Sequence, residues 1–424
     1  MLQVANQPGP FYCFLRPLVF ELMRRGLDVD VACNRLDPRF EQLSAAGMKT
    51  IPLTVGPWRS PKTWLTLRRE LREVLRRKRY DICVVHTPAI SWLTRREAAR
   101  AGIPVVVYTA HGLPFFARQG RLVYRALLAV EKRCARYTDL LLVMNQDDYK
   151  AALSQVLVKP GGVIRRIPGV GIDVGRWQAS PSAAEVGVLR AELGLRPETR
   201  LLLYLGRLMA SKGVLDLVEI LVTLARTEHD VALLVAGDGP LEAAMRRRAA
   251  ERGVAERLRL LGWRDDVVRL MHAADVLLLP STYREGLPFV LLEAGAAGKP
   301  VVAYRNRGAN DVVVDGQTGF LVAAGPGAPP ALAGAVARLL DDCELARRLG
   351  EAGRRRVAQE FSYAQAVRAQ LEAYADVLER KGYDVSMLRG EPGEPRFSLA
   401  SLPASAAGGQ GAPESGPAGG GQGP

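Results

Sequence analysis

Short apolar runs alternate with longer amphipathic stretches along most of the chain. In its first part, the segments that we interpret as strands are residues 2–6, 28–33, 81–86, 104–111 and 139–145. Residues 14–26 and 60–80 have the helical spacing of apolar positions. Continuous apolar strands that alternate with helices are typical of parallel strands buried on both faces, so this part predicts a doubly wound sheet.

The same pattern restarts after residues 163–173, which we interpret as a connector. Further apolar runs follow at residues 200–207, 231–240, 258–263, 275–281 and 300–305. We therefore predict an α/β protein with two Rossmann-like, doubly wound domains that face a central cleft. Ligands of such domains bind outside the carboxyl ends of the strands.

The predicted boundaries divide the chain into four parts. Residues 1–165 form the first domain and residues 166–365 the second. Residues 366–388 form a C-terminal helix that packs back toward the first domain. Residues 389–424 are rich in Gly, Pro, Ser and Ala and are expected to form a disordered, low-complexity tail.

Positive charge is concentrated in the first domain. The chain has a net charge of +14, and residues 1–165 hold 27 Lys and Arg against 13 Asp and Glu. This imbalance favours an anionic partner, either a lipid surface, a nucleic acid or an anionic substrate. The helix at 60–80 is the densest basic segment, and both a solvated face and contact with anionic lipid fit its pattern.

Other compositional features limit the class of protein. No apolar run reaches the roughly 18–20 residues of a membrane span, and the N-terminus has no signal-peptide pattern. The chain begins almost inside its first strand, which is compatible with a start further upstream. Five scattered cysteines without a paired spacing indicate reduced thiols in a cytoplasmic protein and argue against a structural metal site.

Two glutamates stand out in the segment YREGLPFVLLEAGAAGKPVV, residues 283–302. Glu285 lies in a loop after a strand, and Glu293 lies more than a turn into the next helix, which we expect to have Pro288 at its first position. This separation argues against a hydrolytic pair of carboxyl groups. It favours two hydroxyl acceptors that flank a phosphate site, although a solvated loop residue and a paired helix residue fit this segment equally well.

The start of that helix is a candidate anion site. The first backbone N–H groups of a helix have no partner within the helix, and the helix dipole favours negative charge there. The residues expected to contribute are Gly286, Leu287, Phe289 and Val290.

A second candidate site is the segment LYLGRLMASKGVLDLVEIL, residues 203–221. Arg207, which follows Gly206, and Lys212 are placed at the carboxyl end of a strand. Two cations there can hold a diphosphate and neutralise a leaving group without a divalent metal. Two ordinary surface cations are the alternative. We interpret the later segment VAGDGPLEAA (235–244) only as a tight turn with a helix cap.

Two histidines follow strands of the first domain. His111 lies between a buried strand and Gly112, where it can face the cleft and bind a transferred group, although a structural histidine fits as well. His86 has a similar position and is interpreted as structural or as part of an acceptor site.

Taken together, these segments resemble a known family. The Glu-x7-Glu segment, LGRLMASKG and GANDVVVDGQTGFLV (308–322) are similar, in order and spacing, to the blocks of retaining glycosyltransferases of family 4, which have the GT-B fold. In the first half, YTAHGLPFF, EKRCARYTDLLLVMNQDDY and IPGVGID resemble the bacterial capsular and exopolysaccharide branch. The loop NQPGPFYCF departs from the family by having a single glycine, which affects the expected acceptor contacts of Pro8 and Gly9.

The resemblance implies a role for each matching residue. Arg207 and Lys212 would hold the diphosphate of a nucleotide sugar, expected to be a UDP-sugar, and Glu293 its ribose hydroxyls. Glu285 and His111 would be the catalytic pair beside the transferred sugar. Trp263 and Arg264 would border the nucleobase, and His86 would lie on the acceptor side with Pro8 and Gly9.

The resemblance also implies a reaction and a location. The enzyme would transfer a hexose or N-acetylhexosamine, with retention, to an undecaprenyl-diphosphate-linked glycan in capsule, exopolysaccharide or O-antigen synthesis. It would need neither a metal nor a cofactor, because the leaving diphosphate itself helps to deprotonate the acceptor. It would be peripheral at the inner face of the cytoplasmic membrane, with the anionic membrane surface as a partner.

Two other functions remain open. A UDP-sugar 2-epimerase of the same fold would consume its substrate without an acceptor. A nucleic-acid-binding protein would need aromatic side chains among its basic residues, and the helix at 60–80 offers only Trp64 and Tyr80 near its ends. No nucleic-acid partner is therefore expected.

Overall fold

A computed structural model describes residues 1–56, 60–116, 120–282 and 286–390. Its first sheet has seven parallel strands in the order β3-β2-β1-β4-β5-β6-β7. These strands are β1 (Leu2–Val4), β2 (Asp30–Asn34), β3 (Lys49–Leu53), β4 (Ile82–Val85), β5 (Val105–Ala110), β6 (Leu140–Val143) and β7 (Val163–Arg166). The helices between them are α1 (Arg16–Arg24), α2 (Arg39–Ala45), α3 (Pro61–Arg77), α4 (Pro88–Arg100), α5 (Arg121–Ala135) and α6 (Gln146–Gln155). We call this unit the N-terminal domain.

The second sheet has six parallel strands in the order β10-β9-β8-β11-β12-β13. They are β8 (Arg200–Leu205), β9 (Val231–Ala236), β10 (Leu258–Gly262), β11 (Val276–Leu279), β12 (Val301–Arg305) and β13 (Gly319–Ala323). The accompanying helices are α7 (Val174–Gln178), α8 (Ala183–Glu192), α9 (Val214–Leu224), α10 (Glu242–Glu251), α11 (Val267–Ala273), α12 (Phe289–Ala296), α13 (Ala309–Val312), α14 (Ala328–Asp341) and α15 (Cys343–Glu360). We call this unit the C-terminal domain.

Each sheet reverses its strand order once, between β1 and β4 and between β8 and β11. The crevice of a doubly wound sheet lies at such a switch point, outside the carboxyl ends of its strands. The central strands are buried along their whole length, which explains why their sequences are apolar runs rather than alternating patterns. The prediction of two doubly wound domains is confirmed.

The connector interpretation of residues 163–173 is wrong for its first four residues. Val163–Arg166 forms β7, the edge strand of the first sheet, paired in parallel with β6. Of its four side chains only Val163 is buried, because an edge strand has a neighbour on one side only. Its two exposed arginines therefore hid the strand in the hydrophobic pattern.

The chain returns to the N-terminal domain after α15. Helix α16 (Tyr363–Glu379) is followed by a short helix, α17 (Ser386–Arg389). Val367, Leu371, Tyr374 and Leu378 of α16 share one hydrophobic core with strands of the first sheet. The C-terminal helix is therefore part of the N-terminal domain in space.

Two further properties concern the described residues. All five cysteines are free, as the sequence predicted, and only Cys343 is exposed. In the ranges given above, no helix is both long and apolar enough to cross a membrane. The predicted tail lies outside the described residues from residue 391 onward.

Candidate active site

A cavity lies between the two domains. Phe14, from a π-helical turn that precedes α1, is its lining residue in the N-terminal domain. The C-terminal domain contributes residues from the ends of three strands and from α11 and α12: Leu205, Gly206, Arg207, Ala236, Gly237, Asp238, Trp263, Arg264, Val267, Phe289, Val290 and Glu293. The cavity therefore lies at the carboxyl ends of the second sheet, where the fold places ligands.

Arg207 directly follows β8 at the cavity wall. Its Nε atom is buried and has no hydrogen-bond partner among the described residues. Its carbonyl oxygen accepts a hydrogen bond of 3.0 Å from the Tyr204 hydroxyl, which fixes the backbone of the loop. A buried guanidinium N–H without an acceptor is costly, so this site fits an anionic ligand.

Glycines allow the loop after β8 to touch the loop after β9. At Gly237, whose φ is +138°, an added Cβ would lie only 2.1 Å from the carbonyl oxygen of Gly206. The turn expected within residues 235–244 joins β9 to α10, and its residues Gly237 and Asp238 also line the cavity. The available signal was a glycine directly after a buried strand, at the edge where ligands bind.

Lys212 ends a 3₁₀ turn, Ala210–Lys212, that leads into α9. Its side chain is buried but does not line the cavity. Gly213 follows with a φ of +66°, and a Cβ there would lie 1.9 Å from the carbonyl oxygen of Pro280. The Thr282 N–H also donates to the carbonyl of Ser211, at 3.0 Å. These contacts hold the lysine turn against the loop that follows β11.

Glu293 lies in α12 and reaches the cavity with only 6% of its surface exposed. Burial raises the pKa of this carboxyl group from 4.5 to about 7, and the positive charge of Arg176 partly opposes that rise. A buried carboxyl at a cavity wall can accept hydrogen bonds from the hydroxyl groups of a ligand. Glu285, the other glutamate of the pair, lies outside the described residues.

The start of α12 differs in one detail from the prediction. Pro288 is the N-cap and Phe289 is the first helical residue. The side chains of Phe289 and Val290 line the cavity, and the Phe289 ring lies 5.1 Å from that of Phe14, between centroids. Leu287 packs against the cores of both domains. The beginning of α12 is therefore a contact between domains as well as a cavity wall.

Gly286 touches the loop that carries His111. A Cβ at residue 286 would lie 1.9 Å from the carbonyl oxygen of His111. The side-chain amide of Asn145 donates to the Gly286 carbonyl at 2.9 Å. This close approach explains the glycine, since its φ lies outside the left-handed region.

Two ion pairs also join the domains. Arg307 lies 2.6 Å from Asp148, which is fully buried, and Arg166 lies 3.1 Å from Asp311. Asp311 accepts a further hydrogen bond of 2.9 Å from the Gln146 N–H at the start of α6. The structure therefore has the two domains in direct contact around the cavity.

His111 and His86 are adjacent at the carboxyl ends of β5 and β4. Nε2 of His111 lies 3.3 Å from Nδ1 of His86, and Nε2 of His86 lies 2.6 Å from Oε1 of Gln3. Burial lowers the pKa of His111 to about 4 and that of His86 well below its usual value, so both rings are neutral near pH 7. Gln3 was not singled out from the sequence, because a single polar residue in a short strand gives no signal.

The remaining sequence candidates occupy different places. Trp263 is half exposed and donates to Asp265, while Arg264 pairs with Asp266 at 2.6 Å, and both line the cavity. Pro8 and Gly9 are buried in the loop before the π-helical turn and do not line it. Among the described residues, no group of three or more His, Cys, Asp or Glu could hold a metal ion.

Replacing Gly286 by alanine is expected to abolish activity by keeping the domains apart. The new methyl group would overlap the His111 carbonyl, which belongs to the opposite domain and is fixed at the end of β5. Small-angle scattering should show a larger radius of gyration than in the wild type. Gly187→Ala is the control, because a Cβ there has nothing within 4 Å, and wild-type compactness of Gly286→Ala would contradict the prediction.

Two Rossmann-like domains with a cleft between them define the GT-B architecture. Family models agree with this assignment. The model described as "Glycosyl transferase 4-like domain" matches residues 14–168, and that described as "Glycosyl transferases group 1" matches residues 187–356.

Individual relatives give the same result. The putative glycosyltransferase EpsD of Bacillus subtilis is 31% identical over 378 residues, which cover 87% of this chain and 94% of EpsD. An Escherichia coli enzyme named UDP-Gal:alpha-D-GlcNAc-diphosphoundecaprenol alpha-1,3-galactosyltransferase is 27% identical over 72% of this chain and 78% of its own. The crystal structure of Anabaena HepE with UDP and glucose matches in fold, with a TM-score of 0.72, 21% identity, and coverage of 88% of this chain and 99% of HepE.

The chain belongs to the family 4 glycosyltransferases of the GT-B fold. Its class of activity is the transfer of a sugar from a nucleotide sugar. The family resemblance seen in the sequence is thereby confirmed.

Proposed function

We propose that this protein is a retaining, metal-independent glycosyltransferase that moves a hexose or N-acetylhexosamine from a UDP-sugar to an undecaprenyl-diphosphate-linked glycan. The observation that carries the proposal is the pairing, in one cavity, of the buried Arg207 Nε without an acceptor and the buried Glu293 carboxyl group. One ligand that has both a diphosphate and ribose hydroxyls fits both groups. The UDP-Gal-dependent activity in the name of the E. coli relative and the UDP bound to HepE support UDP as the nucleotide.

In this proposal the protein stabilises the departing UDP by electrostatics. Arg207 and Lys212 hold the diphosphate, together with the free N–H groups at the start of α12. The diphosphate then accepts the proton of the acceptor hydroxyl, which attacks the anomeric carbon from the same face. The sugar keeps its configuration, and the reaction needs neither a protein nucleophile nor a metal or cofactor.

The transferred sugar lies between the two domains in this scheme. His111 approaches it from the N-terminal domain, and Glu285 binds its hydroxyl groups from the C-terminal domain. The contact between Gly286 and the His111 loop supports this placement, because it brings residue 286, next to Glu285 in the chain, against that loop. Closure around the sugar also excludes water and limits hydrolysis of the donor.

A donor screen followed by a transfer assay tests the proposal. UDP-, GDP- and ADP-sugars are compared for thermal stabilisation, since a ligand at about 100 times its dissociation constant adds roughly 2.7 kcal/mol. The stabilising donor is then incubated with undecaprenyl-diphosphate glycans, with and without EDTA, and the anomeric configuration of the product is read by NMR. Donor consumption without an acceptor would instead indicate a 2-epimerase, and an inverted product would overturn the retaining mechanism.

We further propose that the enzyme is peripheral at the cytoplasmic face of the membrane, and that it binds there through the N-terminal halves of α3 and α5. Two of the basic residues of α3 are engaged within the protein. Arg68 and Arg72 pair with the buried Glu97, at 3.1 Å and 2.7 Å respectively. Lys62, Leu65 and Arg69 of α3 are exposed at helical spacing instead.

Helix α5 presents a second exposed group in its first turns. Leu122 is 82% exposed and has Arg121 and Arg125, both exposed, beside it. Both helices follow parallel strands of one sheet, so both begin along its carboxyl edge, on the same side as the cleft. We call these six residues, Lys62, Leu65, Arg69, Arg121, Leu122 and Arg125, the α3–α5 surface. Apolar side chains among cations suit an anionic bilayer.

The double variant Leu122→Glu/Arg125→Glu is expected to bind phosphatidylglycerol vesicles at least about tenfold more weakly than the wild type. Each basic residue near an anionic surface contributes about 1 kcal/mol, and a leucine that leaves the interface loses its burial. Vesicle sedimentation measures the partition coefficient. The matched control is Arg247→Glu, an exposed residue of the C-terminal domain, and equal binding by all three proteins would rule out this surface.

A further inference from the structure

A chain of three polar side chains runs through the N-terminal domain to His111. Gln3 lies in β1, His86 directly follows β4, and His111 directly follows β5, and these three strands are neighbours in the sheet. The Gln3 Oε1 to His86 Nε2 distance is 2.6 Å, and the His86 Nδ1 to His111 Nε2 distance is 3.3 Å. Gln3 and His86 are completely buried, although neither would bind a ligand directly.

The amide of Gln3 has a defined orientation. Its Nε2 donates to the Met1 sulfur at 3.1 Å, so its carbonyl oxygen faces His86. A carbonyl oxygen can only accept a hydrogen bond. The proton between Gln3 and His86 therefore belongs to Nε2 of His86.

The proton on Nε2 of His86 determines which nitrogen of His111 carries a proton. A neutral imidazole has one N–H, and burial keeps His86 neutral, so its Nδ1 can only accept. The His111 Nε2 that faces it must then be the N–H donor. His111 is neutral as well, which leaves its Nδ1 as a bare lone pair. This Nδ1 atom of His111 has no hydrogen-bond partner among the residues that the structure describes.

We infer that Gln3 and His86 are positioning residues that hold His111 in the Nε2–H tautomer, so that its Nδ1 can only accept a hydrogen bond. This inference rests on the proposed function only for the identity of the ligand. That ligand would be a hydroxyl group of the transferred sugar. A sugar hydroxyl must then donate to His111, and a substituent that cannot donate would be discriminated against. The tautomer itself is a property of the protein without ligand.

The tautomer can be measured directly, because the chain has only four histidines. Long-range ¹H–¹⁵N spectra of protein labelled with [¹⁵N]histidine distinguish a protonated from an unprotonated ring nitrogen. His86→Phe and His111→Asn assign the two signals. We expect Nε2 to be the protonated nitrogen in both residues of the wild type near pH 7. A proton on Nδ1 of His111 would overturn the inference, whatever reaction the enzyme catalyses.

Substitution of His86 tests the effect on catalysis. His86→Phe keeps an aromatic ring against Phe11, 5.7 Å away between centroids, but removes the acceptor for His111. We expect His111 to show a mixture of tautomers and kcat to fall about tenfold, with the KM for the donor less affected. His272→Phe, which loses contacts to the Trp177 carbonyl and the Ser180 hydroxyl, should leave kcat unchanged. If folded His86→Phe had a single His111 tautomer and the wild-type kcat, the inference would be contradicted. If that variant does not fold, the spectrum of the wild-type protein alone tests the tautomer of His111.

Discussion

The Glu293→Gln variant is expected to be more stable than the wild type at about pH 8.5, and yet to have little activity. In the wild type the carboxyl group has a pKa of about 7 when folded, compared with 4.5 for the ordinary group. Between these values the folded state binds more protons than the unfolded state, so stability falls as the pH rises through this window and stays lower above it. At about 1.36 kcal/mol per pKa unit, the loss is roughly 3 kcal/mol. Glutamine has no charge to bury and avoids this loss.

The expected loss of activity has a separate cause. Hydrogen bonds to a charged group are worth about 1.5–3 kcal/mol each, so the variant should lose roughly 10- to 100-fold in kcat/KM for the donor. Melting curves at about pH 5 and about pH 8.5 and a transfer assay measure both effects. At the lower pH the wild type and the variant should have similar melting temperatures. Equal stability of the two proteins at both pH values would show that Glu293 does not have the environment assigned to it. Full activity of the variant would show that Glu293 does not have the role assigned to it.

Lys212→Met is expected to lower kcat by about 10²–10³ while the melting temperature changes little. Removal of one preorganised donor from a developing negative charge typically has this effect. Methionine retains most of the length and apolar volume of the lysine stem, so the buried position beside Gly213 stays filled. Transfer kinetics at saturating donor, together with calorimetry, separate the loss of charge from a loss of structure.

Lys299→Met provides a matched control for this variant. Lys299 also belongs to the C-terminal domain and donates to the His272 carbonyl at 2.7 Å, away from the cavity. Its replacement should reduce stability slightly and leave kcat near the wild-type value. If Lys212→Met and Lys299→Met had the same kcat, the proposal that Lys212 stabilises the leaving diphosphate would be wrong.

The sequence predicted those features that depend on local pattern. Buried parallel strands have apolar runs, so the two sheets were visible, and residues that follow such strands were expected near the cleft. Arg207 and Trp263 line the cavity just after β8 and β10, and Phe289 and Glu293 line it from α12. The edge strand β7 was missed because only one of its side chains is buried.

Contacts between distant segments could not be predicted in the same way. Phe14 lines the cavity only because the two domains meet, and nothing in its neighbourhood distinguishes it from other aromatic residues. The need for glycine at residue 286 likewise arises from the carbonyl of a residue in the other domain. The bond between Gln3 and His86 joins residues 83 positions apart. Such features depend on tertiary geometry, which hydrophobic periodicity does not encode.

The return of α16 to the first sheet limits how this enzyme can be divided or recombined. A fragment that ended after β7 would lack Val367, Leu371, Tyr374 and Leu378, and its sheet would expose the apolar surface that they cover. A chimera built to exchange the C-terminal domain would therefore need two junctions, one before α7 and one after α15. The N-terminal domain is thus built from two segments that are separated in the sequence, and the C-terminal domain from the segment between them.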